Sequence, residues 1–185
     1  MKNQISFATT VPLAFVHSAR QFLREEYLPK IESCLQRLND QEIWWRPNSA
    51  SNSVGNLILH LSGNARQWII SGLGGEADRR LRQSEFAEES ALSKEELLSL
   101  LRETIAEVDN VLAQFNPERI LARHLIQGSD VTALEAVFHV TEHFSMHTGQ
   151  IILLTKMLGG RDLKFYDFPA GVPVHNWKKS ELKEN

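Results

Sequence analysis

Three histidines, His139, His143 and His147, recur at four-residue intervals in the C-terminal half of the sequence. On an α-helix, residues at i and i+4 stack on one face. That is the spacing at which two imidazoles can reach one metal ion. A helical wheel stepped at about 100° per residue from Leu134 places Ala136, Val140, Ile151, Leu154 and Leu158 in an arc near 200–260°. On it His143 falls near 180° and His147 near 220°, whereas His139 lies near 140°, at the margin of the arc. His143 and His147 therefore face the apolar core, where unpartnered imidazoles are costly. They are either a hydrogen-bonded pair of core histidines or metal ligands, and two at this spacing on the core face favour a metal. His60 lies in a second helical stretch, at the edge of its apolar arc, in a polar stripe with Asn56, Asn64, Gln67 and Ser71. Taken alone, a boundary histidine is more often structural. Its interest is that such a stripe can line a pocket and that the pair needs a third ligand.

Other polar groups near these histidines have alternative uses. Gln150, near 160° on the same wheel, can orient a ligand or make an ordinary core hydrogen bond. His139 is a candidate partner of a ligand or an alternative ligand itself. Glu142 falls on the polar strip, away from the core, which argues against a general base. Arg80, Arg82 and Glu85 can form an ion pair or bind a carboxylate, and the ion pair is the simpler expectation. Cys34 is the only cysteine. It sits in the stripe Ile31, Cys34, Leu35, Leu38 and reads as a small core residue, so disulfides and cysteine-rich zinc sites are excluded.

These side chains need long elements to carry them, and four stretches have helical periodicity. The first runs from about Pro12 to Leu38, with Pro29 expected to kink or restart it. The stretch Glu42–Asn48, with Trp44 and Trp45, reads as a loop. The second helix opens at Asn52 or Ser53, both good N-caps, and ends at Gly72 and Gly74-Gly75. Residues 76–91 look like a polar connection with a short turn at Glu85-Phe86. The third helix opens with a Ser93/Glu96 capping box and stops before Pro117. After a connection over residues 117–130, the fourth runs from about Thr132 to Leu158, closed by Gly159-Gly160. A tail from about residue 161 carries aromatics and prolines, and its charged end reads as disordered.

No strand-like alternation is evident, so the expected fold is all-α, a four-helix bundle with longer connections and an irregular tail, in a single domain spanning 1–185. The face of helix four opposite the histidines (Leu134, Phe138, Ser145, Gly149, Ile152) is apolar or small. It is expected to pack in a homodimer or under the tail. Of 185 residues, 42% are hydrophobic and the formal net charge is −3. That composition is ordinary for a soluble domain and gives no electrostatic case for nucleic acid or anionic lipid. No apolar run is long enough for a transmembrane helix and no signal peptide is evident, so a cytoplasmic protein is expected.

The string His139-Val-Thr-Glu-His143-Phe-Ser-Met-His147-Thr-Gly-Gln-Ile151 resembles the last-helix signature of the DinB-like superfamily of damage-inducible and thiol-transferase proteins. Asn52-Ser-Val-Gly-Asn-Leu-Ile-Leu-His60-Leu-Ser-Gly-Asn64 resembles its second-helix signature. Trp44-Trp-Arg-Pro47 and the Arg80, Arg82, Glu85, Phe86 stretch resemble an uncharacterised bacterial subfamily. The resemblance spans nearly the whole chain. It implies a four-helix bundle, often dimeric, that binds a metal through one histidine of helix two and an i, i+4 pair of helix four. Carried over, these are His60, His143 and His147, with His139, Gln150 and Asn64 as supporting residues. It also implies a small-molecule substrate and, in some relatives, transfer or isomerisation chemistry with a low-molecular-weight thiol such as bacillithiol, mycothiol or glutathione. Three imidazoles leave a coordination position open, the pattern of a catalytic rather than a structural metal. Zinc is the default ion; nickel, iron, cobalt and manganese suit the same donors. A non-catalytic metal- or ligand-binding dimer and a metal-dependent hydrolase are the competing functions.

Overall fold

A computed structural model describes residues 10–89, 92–160 and 162–177. The charged end of the tail, residues 178–185, lies outside the described residues. The first rod is continuous. α1 (Val11–Gln21) passes through a π-helical turn (Phe22–Tyr27) into α2 (Leu28–Leu35). Pro29 therefore does not break the rod. It falls in the first turn of α2, after a turn whose bonding is already shifted, so its missing N–H costs little. Asn39 then caps the short α3 (Asp40–Ile43) with a capping box to Glu42, where a loop was expected.

The second rod is α4 (Val54–Ala65), continued by a π-helical turn (Arg66–Ser71). Its start is set by Ser53. The Ser53 hydroxyl accepts the Asn56 N–H at 3.1 Å, and Asn56 Oδ1 accepts the Ser53 N–H at 3.1 Å. The third rod, α6 (Lys94–Gln114), opens with the expected Ser93/Glu96 capping box. The fourth, α7 (Ala133–Gly159), opens at Thr132 with Glu135 as its box partner and closes at Gly160 in the left-handed conformation, φ 58°. α4 packs against α6 and α7, and α2 against α7 and α6. The shared core contains Leu23, Ile31, Leu35, Leu57, Ile58, Leu61, Leu101, Ile105 and Phe144, each at most 2% exposed.

Three further departures from the sequence expectation lie beyond α4. Residues 76–91 are more than a connection, because α5 (Arg82–Ala87) forms there and packs on α4. Its C-terminal carbonyls are held from outside. Asn56 Nδ2 donates to the Glu85 and Glu88 carbonyls at 3.0 and 2.8 Å, and Arg46 Nη2 donates to those of Phe86 and Glu88 at 3.0 and 3.2 Å. These partners are 29 to 42 residues away in sequence, so local periodicity carries no trace of the helix. The second departure is a hairpin. β1 (Arg123–Ile126) pairs antiparallel with β2 (Ser129–Thr132) around Gln127 and Gly128, both at positive φ, a tight two-residue turn. The third is in the tail, where β3 (Tyr166–Asp167) pairs with β4 (Val174–His175). Each strand is only two to four residues long, so the architecture remains a helical bundle with an irregular tail.

The tail packs on the first rod. Trp177 Nε1 donates to the Glu25 carbonyl at 3.0 Å, and Lys30 Nζ lies 4.1 Å from the Trp177 ring centroid. The described residues of the tail leave the outer face of α7 uncovered. Leu134, Phe138, Ser145 and Gly149 remain exposed there.

Candidate metal centre

His60 projects from the middle of α4, and His143 and His147 from successive turns of α7. The packing of α4 on α7 brings the three rings together. The centroids are 4.8 Å apart for His60 and His143, 5.2 Å for His60 and His147, and 4.4 Å for His143 and His147. One nitrogen from each ring lies within 4.8 Å of those of the other two. His60 and His147 are buried and His143 is half-buried.

The second nitrogen of two rings is committed elsewhere. His60 Nδ1 lies 2.8 Å from Glu85 Oε2, and His147 Nδ1 lies 2.6 Å from Gln150 Oε1. Both oxygens only accept, so each Nδ1 carries its proton, and a neutral ring then presents a lone pair at Nε2. His60 Nε2 and His143 Nε2 are 2.9 Å apart, and His147 Nε2 is buried with no partner. A lone pair buried without a donor is costly. A shared divalent cation would satisfy all three nitrogens. Two imidazole nitrogens on one zinc ion lie about 3.3 Å apart, from Zn–N distances near 2.0–2.1 Å and tetrahedral angles. The His60–His143 separation of 2.9 Å is shorter than that value and is a hydrogen-bond length, so the two rings would part slightly to share an ion.

The electrostatics favour the same state. Burial pushes His143 down to about 3, helped by the neighbouring His147, His60 and His139. His147 is lowered as well, chiefly by burial. Both rings are therefore neutral at physiological pH and have lone pairs to give. These residues fit a divalent ion: three imidazole nitrogen donors, two of them oriented by hydrogen bonds from their far side.

Beside this centre lies an ion pair. Arg80 Nε and Nη2 donate to Glu85 Oε1 and Oε2 at 2.7 and 2.9 Å, so the arrangement is bidentate. Arg80 Nη2 is also 3.1 Å from His60 Nδ1. Since that nitrogen carries a proton, the carboxylate takes both donors. The side chains of Arg80 and Glu85 are 4% and 9% exposed. Burial would raise the Glu85 carboxyl, but His60 and Arg80 outweigh it and hold it below its ordinary range. Gly63 makes room, because a Cβ there would fall on the Glu85 carboxylate. The ion pair is the one expected from the sequence. Its contact with His60 was not expected, since Glu85 lay in an apparent connection 25 residues away. The only available signal was the Arg80–Phe86 stretch as part of the subfamily likeness.

The remaining candidates separate. Gln150 Oε1 meets His147 Nδ1. The hydrogen bond of Asn64 goes to none of the three histidines brought together here. Its Nδ2 lies 3.1 Å from His139 Nε2. His139 stacks between Trp68, at 4.1 Å, and His143, at 5.3 Å, as a neighbour of the cluster rather than a member. Glu142 is exposed and Cys34 is fully buried.

Comparison with known proteins agrees with this architecture. A family model described as "Protein of unknown function (DUF1572)" matches residues 11–172. No curated protein matches the chain. A crystal structure described as a conserved protein from Enterococcus faecalis superposes with a TM-score of 0.67 at 18% identity, covering 78% of this chain and 97% of that one. A DinB-like protein from Bacillus cereus superposes with a TM-score of 0.56 at 15% identity, covering 74% of this chain and 91% of that one. At these identities the likeness establishes the fold, which is DinB-like.

Proposed function

The chain belongs to the DUF1572 family of proteins of unknown function, and from that premise we propose that it binds one divalent metal ion through His60, His143 and His147 and uses it in thiol-dependent chemistry on a small electrophile. The observation that carries the metal reading is the convergence of three imidazole nitrogens within 4.8 Å, one of them buried without any partner. When bound, such an ion supplies Lewis acidity at an open position, lowering the pKa of a thiol or water there. The protein's own residues supply the rest. Glu85 and Gln150 orient the two rings. Phe86 covers the His60 ring. Gln150 also lines a groove of about 450 Å³ with Pro47, Leu57, Leu153, Leu154 and Met157. None of the three histidines lines this groove, which meets the centre through Gln150, the acceptor of His147 Nδ1; a groove of that size suits a small molecule.

The choice of a thiol rests on the DinB-like resemblance, and a cytoplasmic setting rich in reduced thiols suits it. Among the described residues no helix is long and apolar enough to cross a membrane. A hydrolase is disfavoured, because Glu142 is exposed and Glu85 is held by Arg80 and His60. The second reading is a non-catalytic metal- or ligand-binding homodimer. It is favoured by the exposed apolar side chains of α7, including Leu134, Phe138, Met146, Leu153 and Met157. A screen distinguishes the two. Metal-loaded protein is incubated with an electrophile and bacillithiol, mycothiol, glutathione or coenzyme A in turn. Metal-dependent loss of electrophile with one of them is expected. No loss with any of the four overturns the transferase reading.

A further inference from the structure

We infer that Glu85 is a positioning residue for the metal centre: held by Arg80, its carboxylate fixes the tautomer and ring angle of His60 so that Nε2 faces His143 and His147. The role rests on the proposed metal site, but the geometry that carries it stands apart from any metal. A carboxylate with both oxygens on a buried guanidinium and one also on His60 Nδ1 cannot swing away without stranding Arg80, whose side chain is 4% exposed. Gly63, lacking a Cβ, leaves the space that the carboxylate fills. The arrangement extends outward. Arg80 Nη1 donates to Gln67 Oε1 at 3.0 Å, Gln67 Nε2 donates to Asp78 Oδ2 at 2.7 Å, and Asp78 Oδ1 accepts the Arg80 N–H at 3.0 Å. A closed ring of hydrogen bonds thus ties the segment ahead of α5 to the π-helical turn that continues α4. Phe86 covers the His60 ring with its centroid 4.7 Å away.

Arg80 has a second consequence. By occupying both oxygens it keeps Glu85 an orienting partner of His60 and makes the carboxylate a poor competitor for the metal. An anionic acceptor on Nδ1 makes the opposite nitrogen a better donor. The residues 78–86 are therefore part of the centre, although none of them belongs to its three histidines.

The test uses the full chain, first without metal. Long-range ¹H–¹⁵N spectra assign the tautomer of His60. The wild type is expected to carry the proton on Nδ1, and a wild type with the proton on Nε2 overturns the proposal, whether or not the protein ever takes up metal. Glu85→Gln keeps an acceptor and is expected to keep the Nδ1–H form. Glu85→Ala is expected to lose it and to bind zinc, measured by competition with a chromophoric chelator, about 10–100-fold more weakly. Glu85→Gln is expected to fall between wild type and Glu85→Ala. Unchanged tautomer in Glu85→Ala, with zinc affinity within about threefold of wild type, overturns it as well. Circular dichroism of both variants separates misfolding from misplacement. If Glu85→Ala does not fold, the tautomers of wild type and Glu85→Gln decide the matter.

Discussion

Gly63→Ala, a substitution that usually strengthens a helix, is expected to weaken this protein. In a helix interior the exchange is worth about 1 kcal/mol in favour of alanine. Here the new methyl would occupy the position of the Glu85 carboxylate. That carboxylate would have to leave two bonds to Arg80 and one to His60. Breaking a buried ion pair costs about 3–5 kcal/mol, because the partner is left charged and desolvated. The pair is less than a tenth exposed, so solvent screening offers little relief. The difference is a net loss of about 2–4 kcal/mol. At roughly 2–4 °C per kcal/mol for a chain of this size, the melting midpoint falls by roughly 5–15 °C. Thermal unfolding followed by circular dichroism, in chelator, reads this without involving metal. A Gly63→Ala protein melting within about a degree of wild type, or above it, would show that the carboxylate moves freely and would refute the account of a pinned Glu85.

Other outcomes follow from the same structure. Asp109 accepts from Arg20 at 2.7 and 3.1 Å and from Arg24 at 3.3 Å. Burial would raise its carboxyl, but the two arginines outweigh it and hold it low. A lowered folded value means that the pair's stabilisation is fully present above the unfolded value, about 3.9. It is lost as pH falls through the folded value. Denaturant unfolding at pH 7 and pH 3 is therefore expected to show a smaller difference in Asp109→Asn than in wild type, and an equal difference counts against the pair. Cys34 is fully buried, and burial pushes its thiol up to about 11. A water-soluble disulfide reagent at pH 8 is expected to leave it untouched in the native protein and to titrate one thiol in denaturant. Rapid native labelling would place Cys34 at the surface.

The bundle was legible because its information is local. Capping boxes at Ser93 and Thr132, the i, i+3, i+4 apolar stripes and the closing Gly160 lie within the segments they define. The α7 pair was legible for the same reason, since His143 and His147 are one turn apart and their facing is set by the stripe around them. His60 was not legible from periodicity. Its place depends on how α4 packs on α7, 83 residues away, and only the motif resemblance pointed to it. Glu85 was hidden twice over. α5 has no side-chain N-cap, is six residues long and is held in place by Asn56 and Arg46 from distant parts of the chain. The partner of Asn64 also depends on packing, because its amide meets His139, 75 residues away.

The central claim, that three histidines hold one divalent ion, is tested most directly by elemental analysis of the purified protein beside its His143→Ala and His147→Ala variants, each loaded with zinc and desalted under the same conditions. The account predicts about one equivalent in the wild type and only a trace in either variant, with all three retaining the helical spectrum. Full stoichiometric metal in both variants would contradict it.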